Sequence, residues 1–146
     1  RLNKIATRCM KIAQSGQYNF SRCMKRNEIV AARMAETEFL DEAVHMIYLL
    51  NRRYKPFYKW AHRRLKELPI LGEKTYMIIE NLVKFSFDDM DKKIEIIEEI
   101  CKDIITELKR QKIIKNVKSD FLLDYGPEIQ RSIADEKLRN WSPWLD

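Results

Sequence analysis

The stretch NEIVAARMAETEFLDEAVHMIYLLN, residues 27–51, decides the fold. Within it Ile29, Ala32, Glu36, Leu40, Ala43, Ile47 and Leu50 follow one another at steps of three or four, the spacing that gathers side chains on one side of an α-helix. All but Glu36 suit a buried seam, so the segment predicts a long amphipathic helix in which Glu36 turns inward onto a partner such as Arg or Tyr. The same period recurs on either side. Residues 2–15 predict a first helix stopped at Ser15-Gly16, then a connector over 17–21 in which Asn19 or Ser21 can cap the next helix. Pro56 suits the first turn of a short helix reaching Leu68, with Phe57, Trp60, Ala61 and Leu65 on one side, and Pro69 and Gly72 end it. Residues 73–85 predict a helix with Ile78, Ile79, Leu82 and Phe85 inward. Ser86 to Asp89 then cap a long helix to about Lys112 that repeats Met90, Ile94, Ile97, Cys101, Ile104 and Leu108. Gly126-Pro127 should break a last segment over 119–132. No stretch alternates as a strand does, so the expectation is one all-α domain over 1–146, an up-and-down helical bundle of five to six helices. Trp141, Pro143 and Trp144 are too apolar for a free tail and should dock on it.

Composition narrows the chemistry. Three glycines, at 16, 72 and 126, exclude a Gly-rich phosphate loop, and no segment approaches an apolar membrane span. Cys9, Cys23 and Cys101 form no CxxC, which reads as reduced thiols of a cytoplasmic protein with at least one buried. His45 and His62 have no Cys or His at ligand spacing, so no metal site is expected, and Asp89-Met90-Asp91 reads as helix-capping acids rather than a Mg²⁺ ligand pair.

Charge carries the functional signal. The net charge of +6 hides strong segregation. Residues 1–33 hold eight Lys or Arg against one acid, while 34–50 hold four acids, Glu36, Glu38, Asp41 and Glu42, and no Lys or Arg. The next sixteen residues, NRRYKPFYKWAHRRLK at 51–66, carry seven Lys or Arg and no acid, interleaved with Tyr54, Phe57, Tyr58 and Trp60. Such a segment repels itself unless an anion or an acidic surface is near, and its rings could stack a base or sugar face. The plain alternative is a solvated helix face partly paired with the acidic helix before it. Acidic stretches interrupt the basic ones, which disfavours a long nucleic acid and favours a compact nucleotide or phosphate. Arg52, Arg53, Lys55 and Lys59 are the candidate anion-holding residues, and Tyr54, Tyr58 and Trp60 would shape the pocket. Glu38, Asp41 and Glu42, in helical step with His45, would orient an acceptor hydroxyl or amine, or else form a solvated edge.

At QYNFSRCMKRNE (17–28), AETEFLDEAVHMIYLLNRRYKPFYKWAHRRLKELPILG (35–72) and FLLDYGPEIQRSIADEKLRNW (121–141), the chain resembles a bacterial family that joins an N-terminal nucleotidyltransferase-like domain to a C-terminal helical domain of unknown function. LLNRRYKPFYKW is the distinctive part. The resemblance implies that this chain, which begins at Arg1, is the helical half of a longer protein, binding a substrate or nucleotide without catalysing a reaction alone. Mg²⁺ and a nucleoside triphosphate, if used, then belong to the missing domain, because no Gly-Ser turn with paired aspartates on strands is present here. By looser analogy of fold, the helical C-terminal domains of aminoglycoside-type nucleotidyltransferases bind the acceptor substrate, sometimes across a dimer. The alternatives are a module that packs on its own catalytic domain or forms a homodimer, and, third, an RNA-binding module.

Overall fold

The structure, a computed structural model, describes residues 1–145. It is all-helical, with no strand among the described residues. The elements used below are α1 (Leu2–Ile12), α2 (Phe20–Lys25), α3 (Ile29–Leu50), α4 (Tyr58–Ala61), α5 (Gly72–Lys84), α6 (Met90–Arg110), α7 (Gly126–Arg131) and α8 (Glu136–Arg139).

The long central helix forms where the seam predicts it, but its burial is wider than one stripe. Phe39 and Met46 are fully buried beside Ala32, Ala43 and Ile47, while Ile29 is exposed, because α1, α2, α5 and α6 all pack on α3. Glu36 turns inward as expected, and its partner is a lysine: Lys93 Nζ of α6 donates to Glu36 Oε2 at 2.8 Å and to the carbonyl of Leu82 at 2.8 Å. That second bond closes one of the carbonyls left open at the C-terminal end of α5. α5 and α6 run antiparallel, Lys74 pairing with Asp103 at 2.7 Å while Leu82 meets Lys93.

Ser15-Gly16 does not stop the first helix. Ala13–Asn19 winds as a π-helical segment that joins α1 to α2, so the predicted connector is helical and neither Asn19 nor Ser21 caps α3. Gly16 is there for close approach: a Cβ on it would lie 2.3 Å from Phe39 Cδ2, so the missing side chain lets the ring rest on the backbone. Gln17 then ties this segment to the far end of the chain, donating to Asp120 O at 2.7 Å and accepting from Leu122 N at 3.0 Å.

The short helix after Pro56 is also smaller than expected. α4 begins at Tyr58, a 3₁₀ turn follows over Arg63–Glu67, and only Ala61 and Leu65 go inward. Phe57 and Trp60 stay exposed because a single turn so rich in cations buries one edge only; Lys59 Nζ lies 5.3 Å from the Trp60 ring centroid. Gly126-Pro127 ends a 3₁₀ turn and opens α7, as a proline in a first turn can. The tail reaches the bundle, Pro143–Leu145 packing against α1 with Trp141 and Trp144 about half exposed. Cys9 and Cys101 are buried and Cys23 partly so, all three free. Ser86 Oγ accepts from Asp88 N at 3.1 Å, whereas Asp89 makes no side-chain cap. Among the described residues no helix is long and apolar enough to cross a membrane.

Candidate functional site

α1 and α3 are antiparallel, Arg8 meeting Glu42 and His45 while Arg1 meets Leu49, so the start of α1 lies against the end of α3. The chain leaves α3 through Arg52, whose φ of 55° is left-handed. Arg52 N donates to Leu49 O and Arg53 N to Tyr48 O, satisfying carbonyls at the helix end by the turn that usually recruits glycine. Asn51 clasps the base of the following loop, its Nδ2 donating to Ile70 O at 2.9 Å and its Oδ1 accepting from Ile70 N at 2.9 Å. The basic loop is thereby held at both ends.

Between these parts lies a hollow of about 310 Å³. α1 and the residue before it supply Arg1 and Lys4, α3 supplies His45 and Leu49, and the loop supplies Arg52, Arg53, Tyr54 and Lys55. Five cations line it and no acid does. Arg1 is spent on structure, donating through Nε to Leu49 O at 3.0 Å and through Nη2 to Gln111 Oε1 at 2.9 Å. Lys55 pairs with Asp41 at 2.6 Å just outside. Among the described residues Lys4, Arg52 and Arg53 make no ion pair with a carboxylate.

The wall behind is a buried polar chain. Arg8 Nε pairs with Glu42 Oε2, and Arg8 Nη1 donates to His45 Nδ1 at 2.8 Å. A guanidinium cannot accept, so His45 is the neutral tautomer with its proton on Nε2. Burial pushes the His45 pKa down to about 4, with the charges of Arg8, Lys55 and Lys4 acting in the same direction and Asp41 opposing. Burial raises the Glu42 carboxyl above its ordinary value against the pull of Arg8 and Lys11. Arg1 is lowered by burial and then by the charge of Arg52.

Of the residues singled out in the sequence, Arg52, Arg53, Tyr54 and Lys55 come together on this hollow; Tyr54 stands at its rim, 99% exposed. Glu42 sits behind the wall. Tyr58, Glu38 and Asp41 line a different concavity, an open groove of about 1160 Å³ between α3 and α5. Its deepest residues, Val44, Ala61 and Ile79, are apolar and buried, and Val30 and Met34 of α3 stand exposed along it. Lys59 and Trp60 line neither. His62 is structural, stacked on Tyr76 with ring centroids 4.2 Å apart and its Nε2 3.0 Å from Tyr76 O. Arg1 and Lys4 were not legible as site residues: the cation-rich first helix was visible, but its antiparallel pairing with α3 was not. Among the described residues no group of three or more His, Cys, Asp or Glu is gathered as for a metal.

Fold and site together define an all-α domain with a cationic hollow at one helix junction. A family model described as a domain of unknown function (DUF4037) matches residues 1–61, which contain α1 to α4 and every residue of the hollow. No curated protein and no solved structure matches the chain.

Proposed function

We propose that this domain binds a phosphorylated ligand, a nucleotide among the candidates, by seating a phosphate group in the hollow at the α1–α3 junction. The observation that carries the reading is the convergence of Lys4 of α1 with Arg52 and Arg53 of the loop after α3 on one small cavity without a lining acid. Bringing them together costs repulsion that a dianion would relieve, and arginine presents the planar donor pair that phosphate oxygens accept. The volume stands at the lower limit of ligand pockets, so it holds a phosphate headgroup while the rest of the ligand extends past Tyr54. His45, neutral when the site is empty, takes a proton beside an anion only by releasing the bond that its Nδ1 accepts from Arg8.

The domain works as a binding partner rather than a catalyst. The nearby carboxylates each pair with a cation, Asp41 with Lys55 and Glu42 with Arg8, and are not disposed as a pair for Mg²⁺. Mg²⁺ and phosphoryl chemistry belong, on this reading, to a nucleotidyltransferase-like domain elsewhere in the parent protein, a link supported by the resemblance over residues 17–28, 35–72 and 121–141. Calorimetric titration with tripolyphosphate, ATP and adenosine tests it. Tripolyphosphate and ATP should bind and adenosine should not. Binding should weaken about a hundredfold or more in Arg52→Ala/Arg53→Ala, the loss of two charge-assisted bonds worth roughly 1.5–3 kcal/mol each, and weaken with added salt. Equal affinity in the variant and the wild type, or no heat with either phosphate compound, would remove the site.

A further inference from the structure

We infer that the groove between α3 and α5 is a homodimer interface in which two copies of α3 pair antiparallel about a two-fold axis at Thr37. Val30 and Met34 are large apolar side chains 75% and 69% exposed on the open face of α3, and they flank an open apolar trough. A trough this large and open suits a helix better than a small molecule.

The identity of the occupant is written in the register of α3. The groove-lining residues of this helix include Val30, Arg33, Met34, Leu40, Asp41 and Val44, with Thr37 at their centre. They are mirror-related in chemistry about that centre: positions 30 and 44 are both valine, 34 and 40 are methionine and leucine, and 33 and 41 are arginine and aspartate. A two-fold contact must be self-complementary, residue i of one copy meeting residue j of the other and j meeting i. Antiparallel pairing at Thr37 does this, bringing Met34 level with the partner copy's Leu40 and Arg33 level with its Asp41, twice. Arg33 and Asp41 stand about 12 Å apart along the helix at 1.5 Å per residue, so the two ion pairs bracket the apolar centre. In the free chain Arg33 lies over the Phe87 ring at 4.2 Å and Asp41 holds Lys55, so both are exposed charges able to take a further partner. Glu38 falls beside the axis, where the two copies bring like charges together, so this residue tunes the dimer downward.

Sedimentation velocity from low to high micromolar chain tests this, with circular dichroism confirming that each variant is folded. The wild type should pass from monomer to dimer over that range. Met34→Glu, exposed in the monomer, should abolish the dimer and keep the melting curve. Arg33→Glu alone sets two acids against each other and Asp41→Lys alone sets two bases, so each should weaken association about tenfold, while an equimolar mixture of the two variants forms opposite-charge pairs at both ends and should recover it. Glu38→Gln should tighten it. A chain that stays monomeric at high micromolar concentration would leave the groove to a helix of another protein and overturn the proposal. So would a dimer indifferent to Met34→Glu, or a mixture no tighter than its components. The Met34 and Glu38 outcomes are independent of phosphate binding, since both residues lie off the cationic hollow, whereas Asp41→Lys also releases Lys55 on its rim and is read only through its mixture with Arg33→Glu.

Discussion

Replacing Lys93 by methionine should be among the most damaging single changes to this fold, and its cost should depend on pH in a way that only a buried ion pair explains. Lys93 is 1% exposed, and its ammonium serves two masters: Glu36 Oε2 of α3 at 2.8 Å and the Leu82 carbonyl of α5 at 2.8 Å. Methionine fills most of the volume and keeps the helix propensity, so packing is nearly conserved. What is lost is the charge. A buried carboxyl deprived of its cation takes up a proton, at a cost of about 1.4 kcal/mol for each pH unit above the ordinary glutamate value of ~4.3, or ~3.7 kcal/mol at pH 7 and ~1 kcal/mol at pH 5. The orphaned Leu82 carbonyl adds roughly 1 kcal/mol at either pH. The variant should therefore lose about 4–5 kcal/mol at pH 7, in line with breaking buried pairs generally, and about 2 kcal/mol at pH 5. Urea unfolding followed by circular dichroism at both pH values measures it. Glu36→Leu/Lys93→Met, with neither charge present, should return to within about 1–2 kcal/mol of the wild type. A loss below about 1 kcal/mol at pH 7, or a loss that does not shrink on acidification, would refute the assignment of this pair as a buried fastener of three helices.

Further outcomes are expected at other close contacts. Gly16→Ala forces a Cβ to 2.3 Å from the Phe39 ring and should cost about 1–3 kcal/mol in urea unfolding, with partial rescue by Phe39→Leu. Burial pushes the Cys9 thiol up to about 12 and Cys101 well above its ordinary value, so a thiol reagent at pH 8 should label Cys23 alone in the native chain and all three in urea, as mass spectrometry would read. Arg52→Gly relieves a left-handed arginine and should raise stability by about 0.5–1 kcal/mol while weakening phosphate binding, an opposition between melting temperature and affinity that one variant displays.

The all-α architecture was legible because helical period is local: the α3 seam and the regular stripe of α6 need no knowledge of the rest of the chain. Long-range partnership was not. Lys93 stands beside Lys92 in a run that looks like a solvated face, and only the approach of α3 turns one of the two inward. Ser15-Gly16 spells a helix stop, yet Gly16 answers to Phe39, which is distant in sequence. The charge count at 51–66 pointed to Arg52, Arg53, Tyr54 and Lys55, whereas the turn at Pro56 sends Tyr58 to the apolar groove and leaves Lys59 and Trp60 out of both concavities. Half of the cationic hollow comes from α1 and α3, and no pattern within either helix announces that their ends meet there.

If the hollow holds a phosphate, the His45 ring reports on it from the wall. Its pKa, followed by proton–nitrogen NMR, should lie near 4 in the free chain, because burial and the surrounding cations disfavour the charged ring. Saturating pyrophosphate supplies the missing counter-charge and should raise that value by about 1 unit or more, the protonated ring giving up the bond that its Nδ1 accepts from Arg8. A His45 titration unchanged by pyrophosphate at millimolar concentration would contradict phosphate binding in the hollow.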